Sequence, residues 1–174
     1  MTPSNEDECR KMLTTAYHLG TPAAVRYPRG KGPGVPQTES LESIEIGKAN
    51  VLRECSVSRQ RIAILAFGLM VSRLKKVAEK LDATLVDMRF VKPMDKETVI
   101  RIAQTHDLIV TAEDGVIAGG AGSAVLELIA QEGLVLGIDD RFVGQGTLEE
   151  LMHENRLDEL SVIERIQERL LHAK

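Results

Sequence analysis

Six consecutive apolar residues, Ile62-Ala63-Ile64-Leu65-Ala66-Phe67, set the strongest constraint on how this chain folds. A run of that length and composition, closed by Gly68, is the pattern of a strand buried on both faces. Strands of that kind belong to parallel sheets with helices on either side. The residues after Gly68 repeat the logic. Val71, Leu74, Val77, Ala78 and Leu81 form a helical stripe, Thr84 to Met88 returns to strand, and Pro93 with Asp95 opens a helix whose Val99, Ile102 and Ala103 face inward. Leu108 to Thr111 is the next strand, and a glycine loop, EDGVIAGGAG, leads to a helix carrying Val125, Leu128 and Ile129 that Gly133 ends. Leu134 to Ile138 is a further strand. Two short helices close the chain, each with capping-box spacing, Thr147 with Glu150 and Ser161 with Glu164. Upstream, Ile44 to Leu52 reads as a strand with Gly47 as a possible bulge. Strands separated by single helices require right-handed crossovers, so the expectation is an α/β fold: a three-layer α/β/α sandwich around a mostly parallel sheet of about five strands.

Residues 1–30 do not fit this alternation. Ser4 is positioned to cap a helix whose first turn is acidic, with Cys9, Met12, Leu13, Ala16 and Tyr17 on one face, and Gly20 stops it. Ala23 to Tyr27 reads as a strand ended by Pro28, which has no amide to donate. One helix and one strand are below the ~40 residues at which an unaided domain becomes plausible. Residues 31–40, rich in glycine and proline, read as a linker. The expected division is therefore 1–30 as the tail of a preceding domain, 31–40 as linker and 41–174 as a complete domain.

Composition narrows the function. Charged residues make up 28% and the net charge is −4, with five Phe and Tyr in all. Without a basic face or a supply of stacking rings, nucleic acid is excluded as a partner. No apolar run approaches the ~18 residues of a membrane helix and no signal peptide opens the chain, so no membrane partner and a cytoplasmic location are expected. Cys9 and Cys55 have neither CxxC spacing nor a disulfide framework and read as idle thiols. His18, His106, His153 and His172 show no metal-ligand spacing. His106 is placed to interact with the end of its own helix.

Three features could carry chemistry. In AVRYPRGKG, Arg26 lies on the predicted strand and Arg29 follows Pro28 into glycines. A guanidinium there serves either as a phosphate or carboxylate clamp or as a surface salt bridge, and the residues alone leave both open. The loop from Gly115 to Gly122 could bind an anion at a helix start, and Gly120-x-Gly122 with Asp139 loosely matches a dinucleotide site. Tight helix-to-sheet packing explains the same small residues. Glu113 and Asp114 stand at a strand end, but adjacent residues on extended chain point apart, and solvated loop acids are the default reading.

Together PSNEDECRKML, AVRYPRG, ATLVDMRFVKPMD, VTAED and GGAGSAVLE resemble the C-terminal part of the 1-deoxy-D-xylulose-5-phosphate synthases, thiamine-diphosphate enzymes of the transketolase superfamily. The likeness runs from Pro3 to the last helices. It implies that residues 1–30 end a pyrimidine-binding domain and that 41–174 is a transketolase C-terminal domain. It implies further a homodimeric transferase that condenses pyruvate with glyceraldehyde 3-phosphate on thiamine diphosphate and magnesium, both bound by regions outside this chain. The chain alone is then expected to be inactive. By the same resemblance Arg29 contacts the phosphate of glyceraldehyde 3-phosphate, Arg26 is structural, and no catalytic, cofactor-binding or metal-binding residue falls here. The sequence departs from the family at Asn5, where aspartate is common, at Asp139, where the family turn has proline, and between Gly133 and Gly137, where it is shorter.

Overall fold

A computed structural model describes residues 1–56 and 60–172. Five strands, β1 (Asn50–Arg53), β2 (Ile62–Ala66), β3 (Thr84–Asp87), β4 (Leu108–Val116) and β5 (Leu134–Ile138), form one sheet in the order β1-β3-β2-β4-β5. β1 runs antiparallel to β3, and every other pairing is parallel. The helices are α1 (Glu6–His18), α2 (Met70–Arg73), α3 (Lys75–Lys80), α4 (Lys96–Thr105), α5 (Ala121–Ile129), α6 (Leu148–Glu154) and α7 (Glu159–His172).

Strand parity divides the core in two. Ile62, Ile64, Leu85, Val110 and Leu136 face α2, α3, α6 and α7, and pack on Val77, Met152, Val162 and Ile166. Ala63, Leu65, Val86 and Ile109 face the opposite way, onto Val99 and Ile102 of α4 and Val125 of α5. The expected three-layer sandwich is therefore the observed one. The six-residue apolar run lies at its centre, each of its residues at most 4% exposed.

Several local expectations are corrected. Ala23 to Tyr27 forms no strand: no sheet strand pairs with its backbone, whose bonds are Arg26 N to Met1 O (2.9 Å) and the Met1 amino group to Ala24 O (2.8 Å). Asn5, not Ser4, caps α1, its side chain accepting from Glu8 N. Within α1 the apolar stripe is split between inside and outside. Met12 is buried, while Leu13 and Tyr17 are 51% and 85% exposed. β1 starts six residues later than the apolar pattern suggested, because Ile46 and Gly47 turn the chain, and its irregularity falls between Val51 and Arg53. The predicted helix from Val71 to Leu81 breaks at Leu74 into α2 and α3, although Val71, Leu74, Val77 and Ala78 all stay buried.

At the other end, β4 continues through Glu113 and Asp114 to Val116, with a register irregularity after Ala112. Ala130, in the left-handed region at φ 50°, ends α5 three residues before Gly133. β5 forms over Leu134–Ile138, where the sequence pattern placed it. Of the two capping boxes, Thr147 with Glu150 is present, but Ser161 is internal to α7: Asp158 accepts from both Ser161 N (3.2 Å) and Ser161 Oγ (2.6 Å). Aspartate three residues ahead of serine outcompeted the serine as cap.

Candidate functional site

Motifs far apart in sequence meet at the carboxyl ends of β3 and β4, the edge at which open α/β sheets place ligands. Asp87, the last residue of β3, is 2% exposed. Ser4 Oγ donates to its Oδ2 at 2.6 Å, and Arg89 N donates to its Oδ1 at 3.0 Å. Arg89 in turn sends its guanidinium to Glu8 Oε1 of α1 (2.7 Å), while its carbonyl accepts from Thr2 N (2.8 Å). Burial pushes the Asp87 carboxyl up to about 6, with the Glu8 charge adding to the effect and the Ser4 hydroxyl opposing it. On β4, Asp114 receives Arg26: one guanidinium nitrogen reaches Oδ1 and the other the backbone carbonyl at 3.1 Å. PSNEDE and AVRYPRG are thus fastened across the strand ends by VDMRF and VTAED.

Residues 31–40 fold back along α1 and do not hang free. Gly34 N donates to Glu6 Oε1 (2.8 Å), and Thr38 donates to Asp7 Oδ1 through its amide (2.6 Å) and its hydroxyl (2.7 Å). Lys11 also bonds Asp7 at 2.9 Å. Lys11 foremost, then Thr38, holds the Asp7 carboxyl down at about 2. Arg10 Nη2 donates to Glu39 O (3.0 Å), and Ile44 N to Thr15 Oγ1 (2.9 Å).

Between these fastenings lies a cleft of about 130 Å3 walled by residues that include Pro3, Cys9, Tyr27, Pro28, Pro33 and Leu69. Arg29 sits between two of its wall residues, Pro28 and Gly30. Its side chain is exposed and makes no hydrogen bond or ion pair with the described residues. Arg26 and Arg29, three positions apart in the motif, are therefore in opposite situations. Arg26 is committed to Asp114, and Arg29 keeps all its donors.

The glycine loop is not an open anion site. Glu113 Oε2 accepts from Ala121 N (3.0 Å) and Glu113 Oε1 from Gly122 N (2.8 Å), so the chain's own carboxylate fills the start of α5. Side chains there would collide: a Cβ on Gly120 would meet Val116 O and Glu113, and one on Gly122 would meet Thr111 Oγ1 and Val135. Packing and self-capping use the small residues, which leaves no room for a dinucleotide or phosphate. Glu113 and Asp114 are both engaged, neither as a solvated acid nor as a proton-sharing pair. His106 behaves as expected, its Nδ1 lying 3.0 Å from Ile102 O at the end of α4.

Residues 47–163 match the family model described as transketolase, C-terminal domain. The chain belongs to the transketolase C-terminal domain family. Curated relatives of this transketolase C-terminal domain include proteins named 1-deoxy-D-xylulose-5-phosphate synthase. That of Thioalkalivibrio sulfidiphilus is 48% identical over 98% of this chain and 27% of its own length. That of Pasteurella multocida is 52% identical over 93% of this chain and 26% of its own length. The chain thus spans about a quarter of the curated relatives it matches. A solved structure described as a split gene transketolase, inactive beta4 tetramer, superimposes with a TM-score of 0.68 at 30% identity, over 81% of this chain and 48% of that one. Arg26 and Arg29 precede the matched range; within the domain Asp114 bonds Arg26, while Asp87 and Arg89 bond Ser4, Thr2 and Glu8 of the same preceding segment. Asp87 and Arg89 escaped the sequence reading, in which Asp114 is a solvated loop acid. The one signal for them was the coincidence of an acidic helix start with a lone Asp-x-Arg at a strand end.

Proposed function

We propose that this chain is the C-terminal portion of a 1-deoxy-D-xylulose-5-phosphate synthase. In that reading the whole protein condenses pyruvate with glyceraldehyde 3-phosphate, releases carbon dioxide, and supplies a precursor of isoprenoids, thiamine and pyridoxal. The observation that carries the reading is identity of 45–52% to proteins of that one name across nearly the entire chain. Residues 1–30 are then the end of a pyrimidine-binding domain, 31–40 the connection, and 41–174 the C-terminal domain. The outward Leu13, Tyr17 and Tyr27, the last 62% exposed, supply apolar surface for the remainder of that preceding domain.

Thiamine diphosphate supplies the carbanion chemistry when bound. Among the described residues no group of three or more His, Cys, Asp and Glu could hold a metal ion, and Glu113 occupies the glycine-loop helix start. The residues present do not fit the diphosphate and magnesium, which the reading assigns to other parts of the whole protein. Such an enzyme works as a cytoplasmic homodimer, and the isolated chain turns nothing over. No helix among the described residues is long and apolar enough to cross a membrane.

Within this reading Arg29 binds the phosphate of glyceraldehyde 3-phosphate. Its uncommitted guanidinium supports the role, since the planar fork matches two phosphate oxygens. In the whole protein, Arg29→Ala should raise the KM for glyceraldehyde 3-phosphate by roughly 10- to 150-fold, the equivalent of losing a charge-assisted contact of about 1.5–3 kcal/mol. The KM for pyruvate should not move. Failure of the whole protein to release carbon dioxide from pyruvate with glyceraldehyde 3-phosphate would sink the reading, and an unchanged KM in the variant would remove Arg29 from it.

A further inference from the structure

The stretch that carries Arg29 is held on both sides by carboxylates that no part of the proposed chemistry uses. On one side stands Asp114. From Ala112 to Val116 β4 advances four residues while β5 advances two, from Leu136 to Ile138, and a bulge of that kind re-aims the side chains within it. Glu113 turns to the start of α5, and Asp114 turns to Arg26. Arg26 donates to Oδ1 of Asp114 from one guanidinium nitrogen and to its backbone carbonyl from the other, at 3.1 Å. Two donors of one rigid plane, placed on the side chain and main chain of a single residue, set orientation as well as distance. On the other side stands Glu6, in the first turn of α1. Its Oε1 accepts from Gly34 N at 2.8 Å, and a Cβ on Gly32 would collide with its carboxyl group, so the chain runs directly against it. Its own amide foremost, then that of Gly34, holds the Glu6 carboxyl below the usual carboxylate range, which keeps it an ionised acceptor near neutral pH. Only Tyr27 and Pro28 separate Arg26 from Arg29, and the proline ring fixes one of the torsions between them. A shift of Arg26 therefore carries through to Arg29. No side-chain contact among the described residues directs the Arg29 guanidinium itself.

We propose that Asp114, acting through Arg26, and Glu6, acting through the Gly34 amide, are positioning residues for the phosphate of glyceraldehyde 3-phosphate, holding Arg29 where its planar fork meets two phosphate oxygens. The role rests on the reading of Arg29 as the phosphate contact. Neither carboxylate touches the substrate, and the charge of each is of the wrong sign to attract an anion. That sign separates positioning from simple electrostatics. By charge alone, removing Asp114 or Glu6 takes a negative neighbour from the anion and, for Asp114, frees a second guanidinium to meet it, so the KM for glyceraldehyde 3-phosphate would fall. Positioning requires it to rise, because Arg29 no longer stands where the phosphate arrives.

The test is a double-substitution cycle on the whole protein that reads kcat and the KM for each substrate. Asp114→Ala and Glu6→Ala should each raise the KM for glyceraldehyde 3-phosphate severalfold, by less than Arg29→Ala does, with kcat and the KM for pyruvate held. Asp114→Asn, which keeps a side-chain acceptor for Arg26 without the charge, should fall between wild type and Asp114→Ala. In an Arg29→Ala background neither Asp114→Ala nor Glu6→Ala should raise the KM further, because the group they place is gone. Where Arg29→Ala raises the KM, a KM that falls or stays in either single variant, or effects that multiply in the double variants, overturns the positioning role and leaves the reading of Arg29 standing. An Arg29→Ala protein with unchanged KM removes that reading and the positioning role with it. Should Glu6→Ala not fold, Asp114→Ala alone and in the Arg29→Ala background decides by the same outcomes.

Discussion

Asp87 shows how one side chain can hold two parts of a protein together and still cost stability. Its carboxyl is buried, accepts from Ser4 Oγ and Arg89 N, and titrates at about 6, against 3.8 for an unperturbed aspartate. The folded chain therefore binds this proton more tightly than the unfolded chain. The ionised, buried form is unfavourable above about pH 6, and stability is recovered as pH falls from about 6 towards 4, by roughly 3 kcal/mol for a two-unit difference. Asp7 and Asp82, held near 2, act the other way and only below about pH 4, so the windows do not overlap. Urea unfolding at a series of pH values should show Asp87→Asn losing this gain between pH 6 and 4 relative to wild type. Parallel curves would show that Asp87 is not the group titrating. None of this was visible in the sequence. VDMRF reads as a strand end, and the hydroxyl that meets its aspartate lies more than eighty positions earlier, where Ser4 looked like a helix cap.

At the scale of elements, local chemistry determined what the chain could settle with its neighbours and tertiary packing determined the rest. The all-apolar β2 and the box at Thr147 depend on adjacent residues, and both form where the pattern placed them. Ala23 to Tyr27 has strand composition but no strand to pair with, so backbone hydrogen bonding went elsewhere. Loop EDGVIAGGAG had the composition of an anion cradle, and what identifies it as self-capped is Glu113, eight and nine positions before the amides it accepts from. The close approach of α5 to β4 and β5 at Gly122 gives a further expectation. Gly122→Ala puts a methyl against Thr111 Oγ1 and Val135, and overpacking of that kind costs about 1–3 kcal/mol. Thermal unfolding measures it. An unchanged midpoint would mean that α5 shifts without penalty.

Across the whole molecule, segment 1–46 is joined to the matched domain by polar fastenings that include Ser4 with Asp87, Glu8 with Arg89 and Arg26 with Asp114, while Asp7 with Thr38 ties the segment to itself. The region that composition marked as a linker is held along α1. Removing the Asp7 carboxylate should release it, so Asp7→Ala should speed tryptic cleavage after Lys31 severalfold while cleavage within the sheet domain stays slow. Equal cleavage in both proteins would mean that Thr38 contributes nothing to restraining the segment. The family resemblance and the layered core were legible because they rest on contiguous motifs and short-range periodicity. The fastenings were not, because each joins residues separated by tens of positions and leaves no periodic trace. They also bear on Arg29. Arg26 anchors the chain just before it and Gly34 just after it, so the free guanidinium rides on a short arc pinned at both ends. An arc of that kind has already given up most of its wandering before any ligand arrives. Cutting either pin would enlarge the loop, at a closure cost of only about 0.6 kcal/mol per doubling of its length, and would spread the guanidinium over a wider volume.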